Sequence, residues 1–246
     1  MAIRSEDVSH HVRLITIDRP ERKNAFDQET YLGLAAALND ADSDDNVHVA
    51  VVTGGGTTFS AGQDLQEMAA LAKGELTGAT GFTVLLAVLE GMKKPLIAAV
   101  NGAAVGIGAT MLLHCDLVYV SSSAGLRFPF AEMGVPPEAG ASALLAEQVG
   151  RQVAAELLFT ARWVRATDAV ELGLARGGFA PEELIPGVLA VAAEIASRSP
   201  WAVQTAKRLM LEARGDRSRN ARKREDAAFA ELFAGQRNGP ADGQRG

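Results

Sequence analysis

The 246-residue sequence predicts an α/β fold that gives way to an all-helical C-terminal region. Three observations lead there. The short apolar runs "VHVAVVTG", "PLIAAV" and "DLVYVSS" have the length of strands buried on both faces. Segments of helical period separate them, so strands alternate with helices, as in βαβ units around a largely parallel sheet. Beyond about Ser142 the runs cease and each segment reads as a helix.

Taken in order, "HVRLITIDRP" carries alternating β-branched residues and ends at Pro20, as a strand does. Asp27 is placed to cap the next helix, on which Tyr31, Leu34, Ala35 and Leu38 share a face. "VHVAVVTG" is a strand, "AGQDLQEMAALA" opens a helix and "GFTVLLAVLEGMKK" is another. "PLIAAV" leads through a turn in "NGAAVGIGATMLLHC" to a helix, and "DLVYVSS" is a further strand. Six helices follow: "ASALLAEQVG", "RQVAAELLFTA", "RATDAVELGL", "PEELIPGVLAVAAEIASR", "PWAVQTAKRLMLEARG" and "RSRNARKREDAAFAELFA". The closing "GQRNGPADGQRG" has no large apolar side chain and is expected to be disordered.

Composition removes several classes of function. A hydrophobic content of 48% and a charged content of 22% are those of a soluble globular chain. The net charge of −6 argues against a nucleic-acid surface. Pro95, Asn101, Gly102, Gly106 and Gly108 interrupt the longest apolar stretch, so no membrane span is expected. The N-terminus lacks the apolar run of a secretory signal, and a cytoplasmic location is expected. The lone Cys115 excludes an internal disulfide and reads as a small buried hydrophobe. His10, His11, His48 and His114 show no metal-ligand spacing, and no metal is expected. Gly102, Gly106 and Gly108 do not fit G-x-G-x-x-G, so no nicotinamide cofactor is expected. Ser60 lies outside a G-x-S-x-G elbow.

Two stretches repeat one plan, a buried strand, a glycine turn and a helix start: "VVTGGGTTFSAGQDLQEM" and "IAAVNGAAVGIGATMLL". Taken singly, either is explained by a tight turn or a close helix–sheet contact. Together they offer N–H groups at helix starts, and two such groups meeting at one point would stabilise an oxyanion.

The stretches "RPERKNAF", "FSAGQDL", "PLIAAVNGAAVGIG", "CDL", "PFAEMGVPPEAGAS" and "ATDAVELGL" follow one another from Arg19 to Leu174. In that order they resemble the crotonase, or enoyl-CoA hydratase/isomerase, superfamily. The resemblance implies a spiral of ββα units with a helical C-terminal region. It divides the chain into a core over 1–195, a helical oligomerisation region over 196–234 and a tail over 235–246. It implies an acyl-CoA substrate whose thioester oxygen is held by the N–H groups of Gln63 and Ile107. Arg22 and Lys23 would lie near the CoA phosphates and Ala25 near the adenine, with Ala61, Asp64 and Leu65 along the adenosine and pantetheine path. Coenzyme A is then part of the substrate, not a cofactor, and a homotrimer or hexamer is expected.

The two glutamates of the family's hydratases would fall at Thr110 and Phe130, and neither is an acid. Glu138 in "GVPPEAGAS" is the remaining acid, at a place where a helix start is expected. There an ordinary glutamate serves the helix dipole, worth about 0.3–1 kcal/mol. The segment resembles that of the Δ3,Δ2-enoyl-CoA isomerases, which implies that Glu138 is a catalytic base and that Phe130 and Ile107 form a dry pocket. Glu132 is the reserve acid, and Asp116 reads as a structural residue at a strand start. Enoyl-CoA hydration by Glu138 alone, isomerisation of a ring or epoxide acyl-CoA, and a non-catalytic acyl-CoA-binding subunit remain alternatives.

Overall fold

The computed structural model describes residues 2–64, 66–67 and 81–238. The chain opens with a hairpin, β1 (Ile3–Ser9) and β2 (Val12–Ile17), antiparallel from Ile3 opposite Ile17. Its second arm is the expected strand; the first was not anticipated. β1 has an exposed outer face, so its sequence lacks the apolar run that marked the others. From β2 the sheet continues in parallel through β3 (Val49–Gly54), β5 (Leu96–Val100), β7 (Leu117–Ser121) and β10 (Gly177–Phe179).

A second sheet is built from short strands that the sequence reading passed over: β4 (Thr58–Ser60), β6 (Ala103–Val105), β8 (Gly125–Arg127) and β9 (Val164–Arg165). Each is two or three residues long, too short to show a period. β3, β5 and β7 each hand over to a strand of this sheet (β4, β6 and β8), which gives the ββα repeat.

The helices among the described residues are α1 (Gln28–Ser43), α2 (Gly81–Gly91), α3 (Ile107–Thr110), α4 (Ala141–Val149), α5 (Arg151–Thr160), α6 (Ala166–Glu171), α7 (Leu184–Ala196), α8 (Pro200–Arg214) and α9 (Arg217–Asn238). Asp27 caps α1 by accepting the Thr30 N–H at 2.8 Å. Ala50 and Val52 of β3 face the larger core, which also contains Leu34, Leu38, Leu85 and Leu145. Val49 and Val51 face α7 through Val188 and Ala192. Burial on both sides explains the unbroken apolar run of β3. The tail expected from 235 is corrected at its start, because α9 continues to Asn238.

Two buried polar residues lock this frame at its opposite ends. Lys207 of α8 donates to Asp116 at 2.7 Å and to the Lys94 carbonyl at 2.9 Å, tying a C-terminal helix to the starts of β5 and β7. Asn24 is fully buried in the loop before α1. Its amide donates to the carbonyls of Gly55 at 2.9 Å and Thr58 at 2.6 Å, and its oxygen accepts the Arg19 N–H at 2.8 Å. An alanine there removes the partner of three buried or part-buried backbone groups, and the position is left-handed, with φ 54°. Asn24→Ala is therefore expected to lower unfolding free energy by about 2–3 kcal/mol in urea titrations; a change below about 0.5 kcal/mol would contradict this account.

Candidate active site

The two glycine loops meet. Gly62 follows β4 and Gly106 follows β6, at neighbouring ends of the second sheet. Both have positive φ, 93° and 55°. A methyl group built on Gly62 would stand 2.8 Å from the Val105 carbonyl oxygen and 3.8 Å from the Gly106 α-carbon. Only glycine lets the backbones approach this closely in that conformation.

The residue after each glycine carries the N–H of interest. Around Gln63 the chain pairs with 23–26: Ala61 N–H reaches the Lys23 carbonyl, Phe26 N–H the Gly62 carbonyl and Asp64 N–H the Phe26 carbonyl, at 2.8–2.9 Å. Those bonds alternate along the chain, so the Gln63 N–H faces away from this partner. Ile107 is the first residue of α3, where an N–H has no intrahelical acceptor. Among the described residues neither N–H has an acceptor. Ser60 braces the first loop, donating to the Asn24 carbonyl at 2.8 Å and accepting the Gly62 N–H at 3.1 Å.

Glu138 is near enough to Tyr31 for its charge to act on the phenol, and it departs from expectation in one respect. It is not at a helix start but three residues ahead of α4, followed by Ala139 and Gly140 in left-handed conformations. Its backbone carbonyl accepts the Ala141 N–H at 3.0 Å, so the loop folds onto the helix end. Burial, and then the charge of Glu225, push the Glu138 carboxyl up to about 7. A carboxyl at that value is part acid and part base near neutral pH. His114, held neutral by burial, sits beneath with Nε2 2.8 Å from the Ala139 carbonyl.

Tyr31, read from sequence as one of four core residues on α1, has a second role. Its hydroxyl donates to Gln63 Oε1 at 2.6 Å. Burial, then the charges of Glu138 and Glu67, raise its pKa well above that of a free phenol, so it stays a neutral donor between the two loops. Glu67 accepts the Gln28 N–H at 2.9 Å with one oxygen, while its other oxygen is buried without a partner among the described residues. The Thr110 hydroxyl is likewise buried and unpartnered, three residues beyond Ile107 on the same short helix.

The other expected residues divide. Arg22 and Lys23 are exposed beside the Gln63 loop, Ala25 is buried and Ala61 half-buried. Asp64 is buried, lies 3.8 Å from Arg19 and accepts the Gln66 N–H at 3.0 Å, which makes it a cap for the following segment. Leu65 lies outside the described residues. Phe130 is buried in the larger core with Ile107. Glu132 pairs with Arg127 at an exposed position. Asp116 is structural, accepting the Leu96 N–H at 2.8 Å. Cys115 is half-buried, with burial pushing its thiol up to about 12.

Comparison with known proteins bears on this geometry. Residues 7–241 match the family model described as enoyl-CoA hydratase/isomerase. The 2,3-dehydroadipyl-CoA hydratase of Escherichia coli is 34% identical over 81% of this chain and 78% of its own length. The human mitochondrial Delta(3,5)-Delta(2,4)-dienoyl-CoA isomerase is 30% identical over 87% of this chain and 69% of its own. A crystal structure of an enoyl-CoA hydratase/isomerase from Pseudoalteromonas atlantica T6c superposes with a TM-score of 0.89 at 35% identity, covering 95% of this chain and 92% of that one.

The raised pKa of Glu138 has a cost that is measurable without substrate. In the unfolded chain the carboxyl titrates near 4.5, in the folded one near 7. The folded state therefore holds its proton more tightly, so stability falls as pH rises from 4.5 to 7. Glu138→Gln removes that loss. It is expected to be more stable than the parent by about 1–3 kcal/mol at pH 8 and little different at pH 4. Equal stability of the two proteins at pH 8 would mean that the carboxyl is not shifted.

Proposed function

The chain belongs to the enoyl-CoA hydratase/isomerase family, and on that footing we propose that it moves the double bond of a 3-enoyl-CoA thioester to the 2-position. The observation that carries this reading is a carboxyl with a pKa near 7, Glu138, whose charge reaches the Tyr31 phenol bonded to Gln63, together with two N–H groups that have no acceptor among the described residues. Thr110 and Phe130 stand where the resemblance puts the hydratase glutamates, and neither exchanges a proton readily near neutral pH.

In the proposed reaction the N–H groups of Gln63 and Ile107 form an oxyanion hole around the thioester oxygen. Glu138 takes a proton from C2, and the C–H electrons pass through the conjugated system to that oxygen, giving a dienolate. The protonated Glu138 then returns the proton at C4, the C2–C3 double bond forms and the thioester carbonyl is restored. Charge on the oxygen exists in the intermediate and not in the substrate, so the two donors favour the transition state, by about 3 kcal/mol each. Buried Ile107 and Phe130 keep water from the shuttled proton. The exposed Arg22 and Lys23 would meet the CoA phosphates, with Ala25 and Ala61 along the path between. A trimer or hexamer belongs to the same reading, supported by the exposed Trp201 and Met210 on α8.

Hydration of a 2-enoyl-CoA is the second reading. The unpartnered Thr110 hydroxyl favours it, because that hydroxyl and Glu138 would hold a water between them.

Purified protein offered 3-hexenoyl-CoA and 2-hexenoyl-CoA separately in deuterated water separates these readings by mass and NMR. Isomerisation of the first is expected, with little 3-hydroxyacyl-CoA from the second. Glu138→Gln should lower turnover by about 10²–10⁴-fold while acyl-CoA binding is kept. Rapid 3-hydroxyacyl-CoA formation would replace isomerisation with hydration.

A further inference from the structure

One carboxylate at the back of the site takes no part in the chemistry above. Glu225, on α9, is 4% exposed. Its two oxygens accept the N–H groups of Gly140 at 2.7 Å and Ser142 at 2.8 Å. These donors belong to the N-terminus of α4, which would otherwise stabilise the nearest anion. The acid closest to them along the chain is Glu138, two residues before Gly140.

We propose that Glu225 is a positioning residue for Glu138: it takes the N–H groups at the start of α4, holds the loop between them, and sets a second negative charge behind the proton-carrying carboxyl. This rests on Glu138 being the proton carrier. The neighbouring groups do not offset that charge. From α1 comes the neutral Tyr31 phenol, and from the turn beneath comes His114, kept neutral by burial. Arg222 on α9 is engaged by Glu90 at 2.9 Å, and Arg214 on α8 lies 3.7 Å from Glu147. Burial and the Glu225 charge together hold the Glu138 carboxyl up at about 7, where it both takes and returns a proton near neutral pH. Were the α4 donors free to reach Glu138, its ionised form would be favoured and the returning proton held less firmly.

The test is a carboxyl-carbon NMR titration of the full-length protein labelled with ¹³C glutamate, with the Glu138 signal identified by its loss in Glu138→Gln. In Glu225→Gln the Glu138 midpoint is expected to fall by about 1 pH unit, and in Glu225→Asp, which keeps the charge, to stay near the parent value. The ascending limb of kcat/KM against pH should move with the midpoint. In the unmutated protein the Glu138 signal should also respond as Glu225 titrates, so the coupling is readable even if a substitution does not fold. A residue that only braces the loop would lower the melting temperature and leave the midpoint in place. An unmoved midpoint in Glu225→Gln, or no response to Glu225 in the parent, overturns the proposal. Because the titration needs no substrate, a moved midpoint without turnover would sink the isomerase reading and leave the pairing of the two glutamates standing.

Discussion

The approach of two backbones, Gly62 against Gly106, is the constraint on which the rest of the site depends. Backbone N–H groups cannot be aimed by choosing a rotamer; they go where the chain goes. The second sheet supplies that aim, pairing β4 with β6 so that Ser60 lies opposite Ala104 and the two following glycines touch. Gly108 continues the same logic, since a methyl group on it would meet Ser60 at 2.8–2.9 Å. Three-residue strands make this frame weak in isolation. Asn24 stiffens it from outside, joining Arg19, Gly55 and Thr58 through one buried side chain.

The Glu138 loop is made differently. It is held by the His114 contact beneath and, from the helical region, by the Glu225 contacts behind. Such a construction trades stability for a poised acid. A carboxyl raised to about 7 is the less stable choice at neutral pH, and an amide of the same shape would suit the fold better. The C-terminal helices therefore do more than pack: α8 locks the sheet ends through Lys207, and α9 sets the electrostatics of one loop.

What the sequence revealed follows from the reach of each signal. Strands β3, β5 and β7 of the main sheet were legible because burial on both faces leaves a continuous apolar run, as at Val49–Gly54, whereas the exposed β1 and the three-residue β10 were not. The second sheet was hidden, since β4, β6, β8 and β9 are shorter than any period. The glycine turns ahead of Gln63 and Ile107 were legible as a local pattern, while the two residues themselves were named by the resemblance to the family. Glu225 was not, because its partners lie 85 and 83 residues away and its own surroundings, "RKREDAAF", read only as part of a helix. Tyr31 fell between these cases. Its helical spacing predicted burial correctly, but a buried phenol also needs a polar partner, and that need pointed to a neighbour no spacing could name. Asn24 was legible as part of "RKNAF" only as a motif letter; its three hydrogen bonds required the fold.

The two chemistries open to such a site differ in what they ask of water. Hydration needs a water fixed between two groups that can exchange protons with it. A double-bond shift needs water kept away while one group carries a proton from C2 to C4. Phe130 fills one of the two places where a second acid would stand, and it is buried with Ile107 in the larger core. A phenyl ring there gives a water nothing to bond to. Thr110 keeps a hydroxyl at the other place, buried and without a partner. That hydroxyl can satisfy itself on a substrate oxygen as well as on a water, but it cannot serve as a base near neutral pH. On the proposed isomerase reading the proton traffic falls to Glu138 alone, and an acid that works alone has to be equally able to take and to give. A pKa near 7 is what that double duty requires.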